Sequence, residues 1–340
     1  MESVKGRNPS IDVFRYVCAI LVIAIHTGPF EEINPSLGYI ATDVIPRIGV
    51  PYFFIVSGYF YIRKLQNGEK PFRQYIKRLI TIYFVWSCLY FLIKFVQWGH
   101  ADLKGFIVNC ITTFVYYGSS YHFWFFPALI FALCFTTFLW RLGGRRILIP
   151  LSIVLYTVGV LGCAYYNVFQ NIPLLDQFFA HPQFNNIRRI LLMGVPFFSG
   201  GYIVLKSKEK ISKQQGLRLW IVSMMIWILE IVVVVNMQYQ RSIVLTFGLY
   251  PLVLSTLTVL VQNPLPKLQG IFDTSRKLAN FTYYAHPAFI LLINFVGGVQ
   301  AYGNQGIPNT ALFLLTTIST VFAGLLICKL NKPTLNKLIS

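Results

Sequence analysis

The segment IDVFRYVCAILVIAIHT, residues 11–27, decides the class of protein to which this chain belongs. A helix that crosses a bilayer needs about 20 mostly apolar residues, and this segment is close to that length. Asp12 and Arg15 lie within it and no A-x-A-like cleavage site follows, so we expect a retained helix rather than a signal peptide. Hydrophobic types make up 56% of the 340 residues and charged types only 12%, which excludes a soluble or disordered chain.

The same apolar pattern recurs along the chain, without alternation, so the composition favours an all-α polytopic membrane protein over a β-barrel. We predict about ten transmembrane helices, within residues 11–27, 44–62, 79–96, 121–140, 147–166, 190–205, 219–236, 243–261, 280–299 and 310–328. Residues 106–117 are too short to span and are predicted to form an interfacial or re-entrant helix. Since no internal repeat or linker is visible, residues 1–340 are predicted to form a single integral-membrane domain.

The distribution of charge predicts the orientation. The chain has 29 Lys and Arg against 11 Asp and Glu, and most of the cations fall in alternate loops. Cytoplasmic loops retain an excess of Lys and Arg, which predicts cytoplasmic N- and C-termini. Only four basic loop residues are then left on the outer side: Lys104, Arg188, Arg189 and Arg241.

Ionisable residues inside predicted spans are the main candidates for function, because a charge there is costly unless it is paired or faces water. Asp12 and Arg15 are three residues apart on one helix and can pair, and His26 follows Arg15 by eleven residues. That spacing places the two on one helix face, roughly 16 Å apart, and predicts a buried hydrophilic stripe. Arg15 as a snorkelling cation and His26 as an interfacial residue are the alternatives.

Further candidates occur in later spans, each with a structural alternative. Arg47 lies near the outer end of the second span, with Asp43 as its nearest acid. Its structural alternative is a role as an interfacial anchor. Ser57 with Gly58 could mediate helix packing, and an aromatic belt would explain Trp124, although His122 is less well explained. Glu230 is either a partner for Arg15, Arg47 or Lys94 or a substrate contact. Tyr284 and His286 precede Pro287. A histidine followed by proline inside a span indicates either a broken helix that lines a cavity or a buried histidine bonded to a carbonyl.

These motifs resemble those of the acyltransferase-3 membrane family over essentially the whole chain. Arg15 with ten intervening residues and then His26 is similar to its first-helix signature, and residues 47–60 to its second-helix motif. Tyr121-His122-Phe123-Trp124 and Thr282-Tyr283-Tyr284-Ala285-His286 resemble two later motifs. Within the family, residues 50–59 and 121–130 resemble the N-terminal membrane domain of membrane-bound serine racemases of vancomycin-resistance clusters.

The resemblance implies transfer of an acyl group, usually acetyl, from cytoplasmic acyl-CoA to an acceptor at the outer face. A hydroxyl acceptor needs a base, and His26 is the natural candidate. Asp12 with Arg15 would lie toward the donor side, and Arg15 and Arg47 would orient phosphate or polarise the thioester. Candidate substrate contacts are Ser57, His122, Trp124, Glu230, Tyr284 and His286. A basic cluster would hold the CoA phosphates, unless it reflects topology alone: Arg63, Lys64, Arg73, Lys77 and Arg78.

Other functions remain open at this point. Uptake of L-serine or another small solute to feed a fused racemase is one alternative, and a scaffold in a cell-envelope complex is another. We expect a multi-pass protein of the plasma membrane, with the lipid bilayer, a cell-envelope or small-molecule acceptor and a C-terminal cytoplasmic racemase domain as its candidate partners. No nucleic acid or pyridoxal phosphate is expected to bind to these residues. No metal is expected either, since no Cys/His metal spacing occurs.

Overall fold

A computed structural model describes residues 8–97, 102–265, 271–297 and 307–330. Every regular element in these ranges is helical, which confirms the all-α class. We number the eleven longer helices in chain order: α1 Pro9–Thr27, α2 Gly49–Gln66, α3 Phe72–Gln97, α4 Leu103–Thr112, α5 Phe125–Gly143, α6 Arg145–Leu161, α7 Val195–Lys210, α8 Lys213–Asn236, α9 Leu249–Gln262, α10 Ile271–Val296 and α11 Asn309–Leu330.

Seven helical segments in the described residues are long and apolar enough to cross a membrane. They are Pro9–Thr27, Pro35–Gln66, Phe72–Gln97, Phe125–Gly143, Phe184–Lys210, Lys213–Asn236 and Asn309–Leu330. The chain is therefore a polytopic membrane protein. The remaining three predicted spans also contain helices, α6, α9 and α10, so the count of ten spans and the position of the termini remain predictions.

Several predicted boundaries need correction. Residues 243–248 form bends and turns, and α9 begins only at Leu249. Residues 121–124 form a turn before α5. The predicted short segment 106–117 is helical, but α4 begins three residues earlier, where the Asp102 side chain caps it, and a π-helical turn Thr113–Tyr117 follows. The depth of this segment in the bilayer stays a prediction.

The chain divides into two compact units, residues 1–53 with 260–340 and residues 54–259, and the two boundaries lie within α2 and α9. In the first unit, α1 begins where the Asn8 side chain accepts from the Ser10 amide and Pro9 occupies the first turn. The Asn8 amide group also donates to the Leu260 carbonyl at 2.9 Å, and Ser10 Oγ donates to the Asn263 carbonyl at 2.8 Å. These bonds fix the start of α1 against the end of α9.

The loop after α1 holds the start of α11 in the same unit. Gly28 ends α1 in the left-handed conformation, with φ of 63°. Beyond it, Glu32 Oε1 accepts from the Thr310 amide at 2.8 Å, and Glu31 accepts from the Asn309 side chain at 3.0 Å. Hydrogen bonds from Thr310 lower the pKa of Glu32, because they stabilise its charged form.

In the second unit, α2 and α7 approach closely through glycine. A Cβ at Gly58 would overlap the carbonyl group of Phe198, and a Cβ at Gly201 would overlap the backbone of Tyr59. Small residues let helix backbones meet in this way inside membranes. The packing interpretation of the Ser57-Gly58 pair is confirmed for Gly58.

Candidate functional site

Two histidines from distant parts of the sequence meet in the first unit. The ring of His26, near the end of α1, stacks on the ring of His286 of α10, with centroids 5.5 Å apart and planes at 16°. The His286 side chain is fully buried, whereas His26 is half-buried. The pair thus joins one histidine that retains some exposure to one enclosed in the helix packing.

Pro287 explains how His286 is held. A proline has no amide hydrogen, so Pro287 leaves the carbonyl four residues earlier, that of Tyr283, without its helical donor. His286 Nδ1 lies 2.9 Å from this carbonyl oxygen and 3.1 Å from that of Thr282. A carbonyl only accepts, so Nδ1 carries the hydrogen and, in the neutral ring, the lone pair lies on Nε2.

The broken helix considered for the His286-Pro287 pair is not formed. The helix α10 runs from Ile271 to Val296 with Pro287 inside it. The histidine itself supplies the donor that the proline removes, so the backbone need not open. The alternative, a buried histidine bonded to neighbouring carbonyls, is confirmed.

Arg47 lies near this pair and is matched by an acid. Its Nε donates to the Asp43 carbonyl at 2.8 Å, and its guanidinium also forms an ion pair with the Asp43 carboxylate. The charge of Arg47 acts on His26 electrostatically. The Arg47 side chain is mostly buried, with 18% exposed, so it is placed as part of the histidine cluster.

Asp12 and Arg15 form a second polar cluster at the other end of α1. Arg15 Nη1 lies 3.7 Å from Asp12 Oδ1, and the side chains are 16% and 6% exposed respectively, which confirms the predicted pairing. Tyr52 of α2 donates to the Ile11 carbonyl at 3.3 Å, and its ring contacts Phe14. The pair is therefore enclosed by aromatic packing.

The expected continuous hydrophilic stripe along α1 is wrong. Between Arg15 and His26 the same face carries Cys18, Ala19 and Val22, which are at most 2% exposed. A Cβ at Gly49 would come within 3.3 Å of the Cys18 carbonyl, so α2 packs directly on this section. The spacing of Arg15 and His26 fixed their common face, but the residues between them form a packed apolar section.

Tyr284 lies two residues before His286 in the sequence and is also buried, with 8% of the residue exposed. Its neighbour Tyr283 contacts both His286, at 6.2 Å between centroids, and Phe53, at 5.4 Å. The first unit thus brings together Asp43, Arg47, His26 and His286, and separately Asp12 and Arg15. Tyr284 also belongs to the first unit, and the second unit contains the remaining predicted site residues.

Glu230 of α8 has partners that the sequence did not suggest. Its carboxylate accepts from the amides of Phe247 and Gly248, at 2.8 and 2.6 Å, and from the Tyr165 hydroxyl at 3.1 Å. The two amides directly precede α9, so Glu230 caps this helix from a neighbouring one. Lys94, one of its expected partners, lies over the Phe91 ring. A role of Glu230 in substrate binding stays a prediction.

His122 and Trp124 lie before α5. His122 is buried, 1% exposed, against Tyr90 at 5.4 Å between centroids. Trp124 stacks under the guanidinium of Arg189, which is 5.0 Å from the ring centroid. Ser57, on α2, is half-buried. Trp124 therefore has a specific cationic partner in addition to any position in an aromatic belt.

The predicted phosphate-binding cluster surrounds the loop between α2 and α3. Arg63 and Lys64 lie in the last turn of α2, and the other three cations lie in the first two turns of α3: Arg73, Lys77 and Arg78. Lys64 forms an ion pair with Glu69 at 3.6 Å, whereas Arg63 and the three α3 residues are exposed. The cluster is thus accessible to a large anion.

No group of three His, Cys, Asp or Glu side chains that could hold a metal ion occurs in the described ranges. Sequence reasoning missed three features of the sites. It did not identify Asp43 as a site residue, Pro287 as the cause of the His286 geometry, or Arg189 as the partner of Trp124. Two of these features carry a local signal: Asp43 and Arg47 are four residues apart, and the proline of the His-Pro dipeptide frees the carbonyl four residues earlier.

Comparison with known proteins identifies the class. The profile of the acyltransferase-3 family, described as an acyltransferase domain, matches residues 8–329. The chain belongs to this family of membrane proteins.

Among curated proteins, it is similar to two amino-acid racemases of Enterococcus faecalis. One is 26% identical over 96% of this chain and 47% of the racemase, the other 29% identical over 64% and 30%. It is also 27% identical to a serine/alanine racemase of Enterococcus gallinarum, over 93% and 45%. The chain spans about half the length of these relatives at most, and no solved structure matches it.

Proposed function

We propose that the protein transfers an acyl group, in the first instance acetyl, from cytoplasmic acyl-CoA to a hydroxyl or amine acceptor at the outer face of the plasma membrane. Membership of the family supports the reaction class. The observation that carries the proposal is the stacked His26–His286 pair, with Arg47 acting on it. A base and a nearby cation are what transfer from a thioester to a poor nucleophile requires.

In this mechanism His26 is the general base, because it is the histidine of the pair that remains partly exposed. It accepts the acceptor's proton as the oxygen or nitrogen attacks the thioester carbonyl. The carbon–sulfur bond then breaks, and the CoA thiolate leaves and takes up a proton. Arg47 stabilises the developing oxyanion, and His286, fixed through Nδ1, holds the His26 ring in place by stacking.

The donor would be held at two further places. The exposed cations around the α2–α3 loop would bind the CoA phosphates, since Lys and Arg there are accessible to a large anion. The Asp12–Arg15 pair would lie along the route of the donor toward His26. Because packed Cys18, Ala19 and Val22 separate the two clusters on α1, the thioester arm must approach His26 along another face.

A second candidate function is uptake of L-serine or another small amino acid. The observation that favours it is the similarity to serine/alanine and amino-acid racemases over nearly the whole of this chain. In that case a racemase domain would use the imported amino acid, and the link to glycopeptide resistance would run through the product. Arg15 and His26, which are half-buried, would then contact a zwitterion during passage.

The two proposals separate in proteoliposomes made with purified protein. For acyl transfer, [14C]acetyl-CoA outside the vesicles should yield labelled product with an extract of cell-envelope precursors as acceptor, and none when the protein is omitted. For uptake, [14C]serine should accumulate inside the vesicles without acetyl-CoA. Serine uptake without any transfer of label from acetyl-CoA would contradict the acyltransferase proposal.

A further inference from the structure

Two adjacent arginines in the second unit use few of their hydrogen-bond donors within the protein. Arg188 and Arg189 begin the π-helical turn Arg188–Gly194 that leads into α7. The guanidinium carbon of Arg189 lies over the Trp124 ring, 5.0 Å from its centroid, and Arg188 Nη1 lies 3.9 Å from the sulfur of Cys163. Both side chains are half-buried, and each charge repels the other.

The hydrogen-bond donors of this pair are largely unused. In the ranges that the structure describes, no carboxylate lies within ion-pair distance of either guanidinium, and Arg188 Nε is buried without an acceptor. Burying two like charges without an anion is unfavourable. A guanidinium stacked on an aromatic ring presents its planar N–H edge, which is the geometry that binds carboxylate or phosphate in a bidentate manner.

The other basic residues predicted for the outer side differ from this pair. Arg241 also reaches Cys163, through its backbone, but its guanidinium donates to the Phe179 carbonyl at 2.8 Å and lies over Tyr166. Lys104 of α4 is simply exposed. Among the described residues, Arg188 and Arg189 are thus the adjacent, half-buried cations of this set, and Arg188 Nε is buried without an acceptor.

We propose that Arg188 and Arg189, with Trp124 as the aromatic neighbour of Arg189, bind the carboxylate or phosphate group of a small anionic ligand. The chemical class of the ligand is an anion with a planar or tetrahedral oxyanion group, and the assignment does not depend on the proposed acyl transfer. The same chemistry is offered by an anionic lipid headgroup, so the test separates the two sources.

The test measures binding of two small probes, methylphosphonate and propionate, by saturation-transfer difference NMR. The protein is held in nanodiscs of phosphatidylcholine, and no acyl-CoA is added. We expect at least one probe to bind the wild type, and to bind at least tenfold more weakly when Arg188→Gln and Arg189→Gln are combined. Lys104→Gln removes an exposed outer charge and should bind as the wild type does.

A conservative variant is the control for misfolding of the double variant. Arg189→Lys keeps the charge but loses the planar stack on Trp124, so we expect binding several-fold weaker than in the wild type. Absence of binding by the wild type, or binding by both Arg variants within twofold of it, overturns the site. Because no acyl donor is present, either result leaves the proposed acyl transfer to be judged by its own assay.

The lipid arm repeats the measurement in nanodiscs that contain one-third phosphatidylglycerol. Unchanged probe binding supports a site for a soluble anionic ligand. Loss of probe binding, restored in phosphatidylcholine alone, shows that a lipid headgroup occupies the arginines and overturns the assignment to a soluble ligand.

Discussion

Glu230 offers the sharpest test of how a charge inside a predicted span is used. In Glu230→Gln, the amide keeps one oxygen but turns an NH2 group toward one of two backbone amides now 2.6 and 2.8 Å away. A hydrogen bond to a charged group contributes about 1.5–3 kcal/mol, and the Gly248 bond is partly buried whereas the Phe247 bond is exposed. We therefore expect the free energy of unfolding to fall by about 1.5–3 kcal/mol, the contribution of one such bond.

The assay is reversible unfolding by sodium dodecyl sulfate in mixed micelles, followed by circular dichroism. The matched control is Glu209→Gln, which removes an exposed carboxylate paired with Lys206 at 2.8 Å. Exposed pairs of this kind are worth about 0–1 kcal/mol, so the control should change stability little. Tyr165→Phe removes only the longest bond to Glu230, 3.1 Å, and should cost about 0.5–1.5 kcal/mol.

An assay of acyl transfer distinguishes a structural role of Glu230 from a role in substrate binding. If the carboxylate only caps α9, activity per folded molecule should be unchanged in Glu230→Gln once the loss of folded protein is corrected for. Glu230→Gln with wild-type stability would refute the capping argument. A loss of activity with stability unchanged would instead favour the substrate contact that the sequence suggested.

Three further predictions concern the helix packing, the loop and the histidine. Gly58→Ala should destabilise the fold by about 1–3 kcal/mol or more, because the new methyl group meets the Phe198 backbone, whereas Gly200→Ala meets only side-chain ends and should cost less in the same detergent titration. The Thr310 amide should be protected from hydrogen exchange above the usual Glu pKa of 4.5, and this protection should be lost as the pH falls through the lowered pKa of Glu32. The Glu32→Gln variant should show no such pH dependence, and a wild type equally insensitive to pH would contradict the cap. Pro287→Ala returns a backbone donor to the Tyr283 carbonyl, so 15N NMR of labelled histidine should show a larger share of His286 with its hydrogen on Nε2; an unchanged tautomer would contradict the role given to Pro287.

The sequence was sufficient where a physical rule acts locally. Apolar length identified the membrane helices, and three-residue spacing on α1 identified the Asp12–Arg15 pair. The common face of Arg15 and His26 was also predictable, but not what lies between them, because Cys18, Ala19 and Val22 acquire their packing only from α2. Helical periodicity locates a face and does not show which neighbour covers it.

Contacts between distant segments could not be obtained in this way. His26 and His286 are separated by most of the chain, and one sequence contains no information on which helices are neighbours. Glu230 was expected to need a cation, because a carboxylate inside a span is costly alone. Backbone amides before α9 satisfied it instead, and such donors have no sequence signature.

The central claim is that His26, supported by His286, is the base of an acyl transfer. The most direct measurement compares the rate of transfer from [14C]acetyl-CoA in proteoliposomes of the wild type, His26→Ala and His181→Ala, where His181 is an exposed histidine outside both sites. General-base catalysis contributes about 10²–10⁴-fold, so His26→Ala should lose at least about a hundredfold while its circular dichroism and unfolding midpoint stay as in the wild type. His181→Ala should retain full activity. A folded His26→Ala protein that transfers acetyl within a fewfold of the wild-type rate would contradict the account.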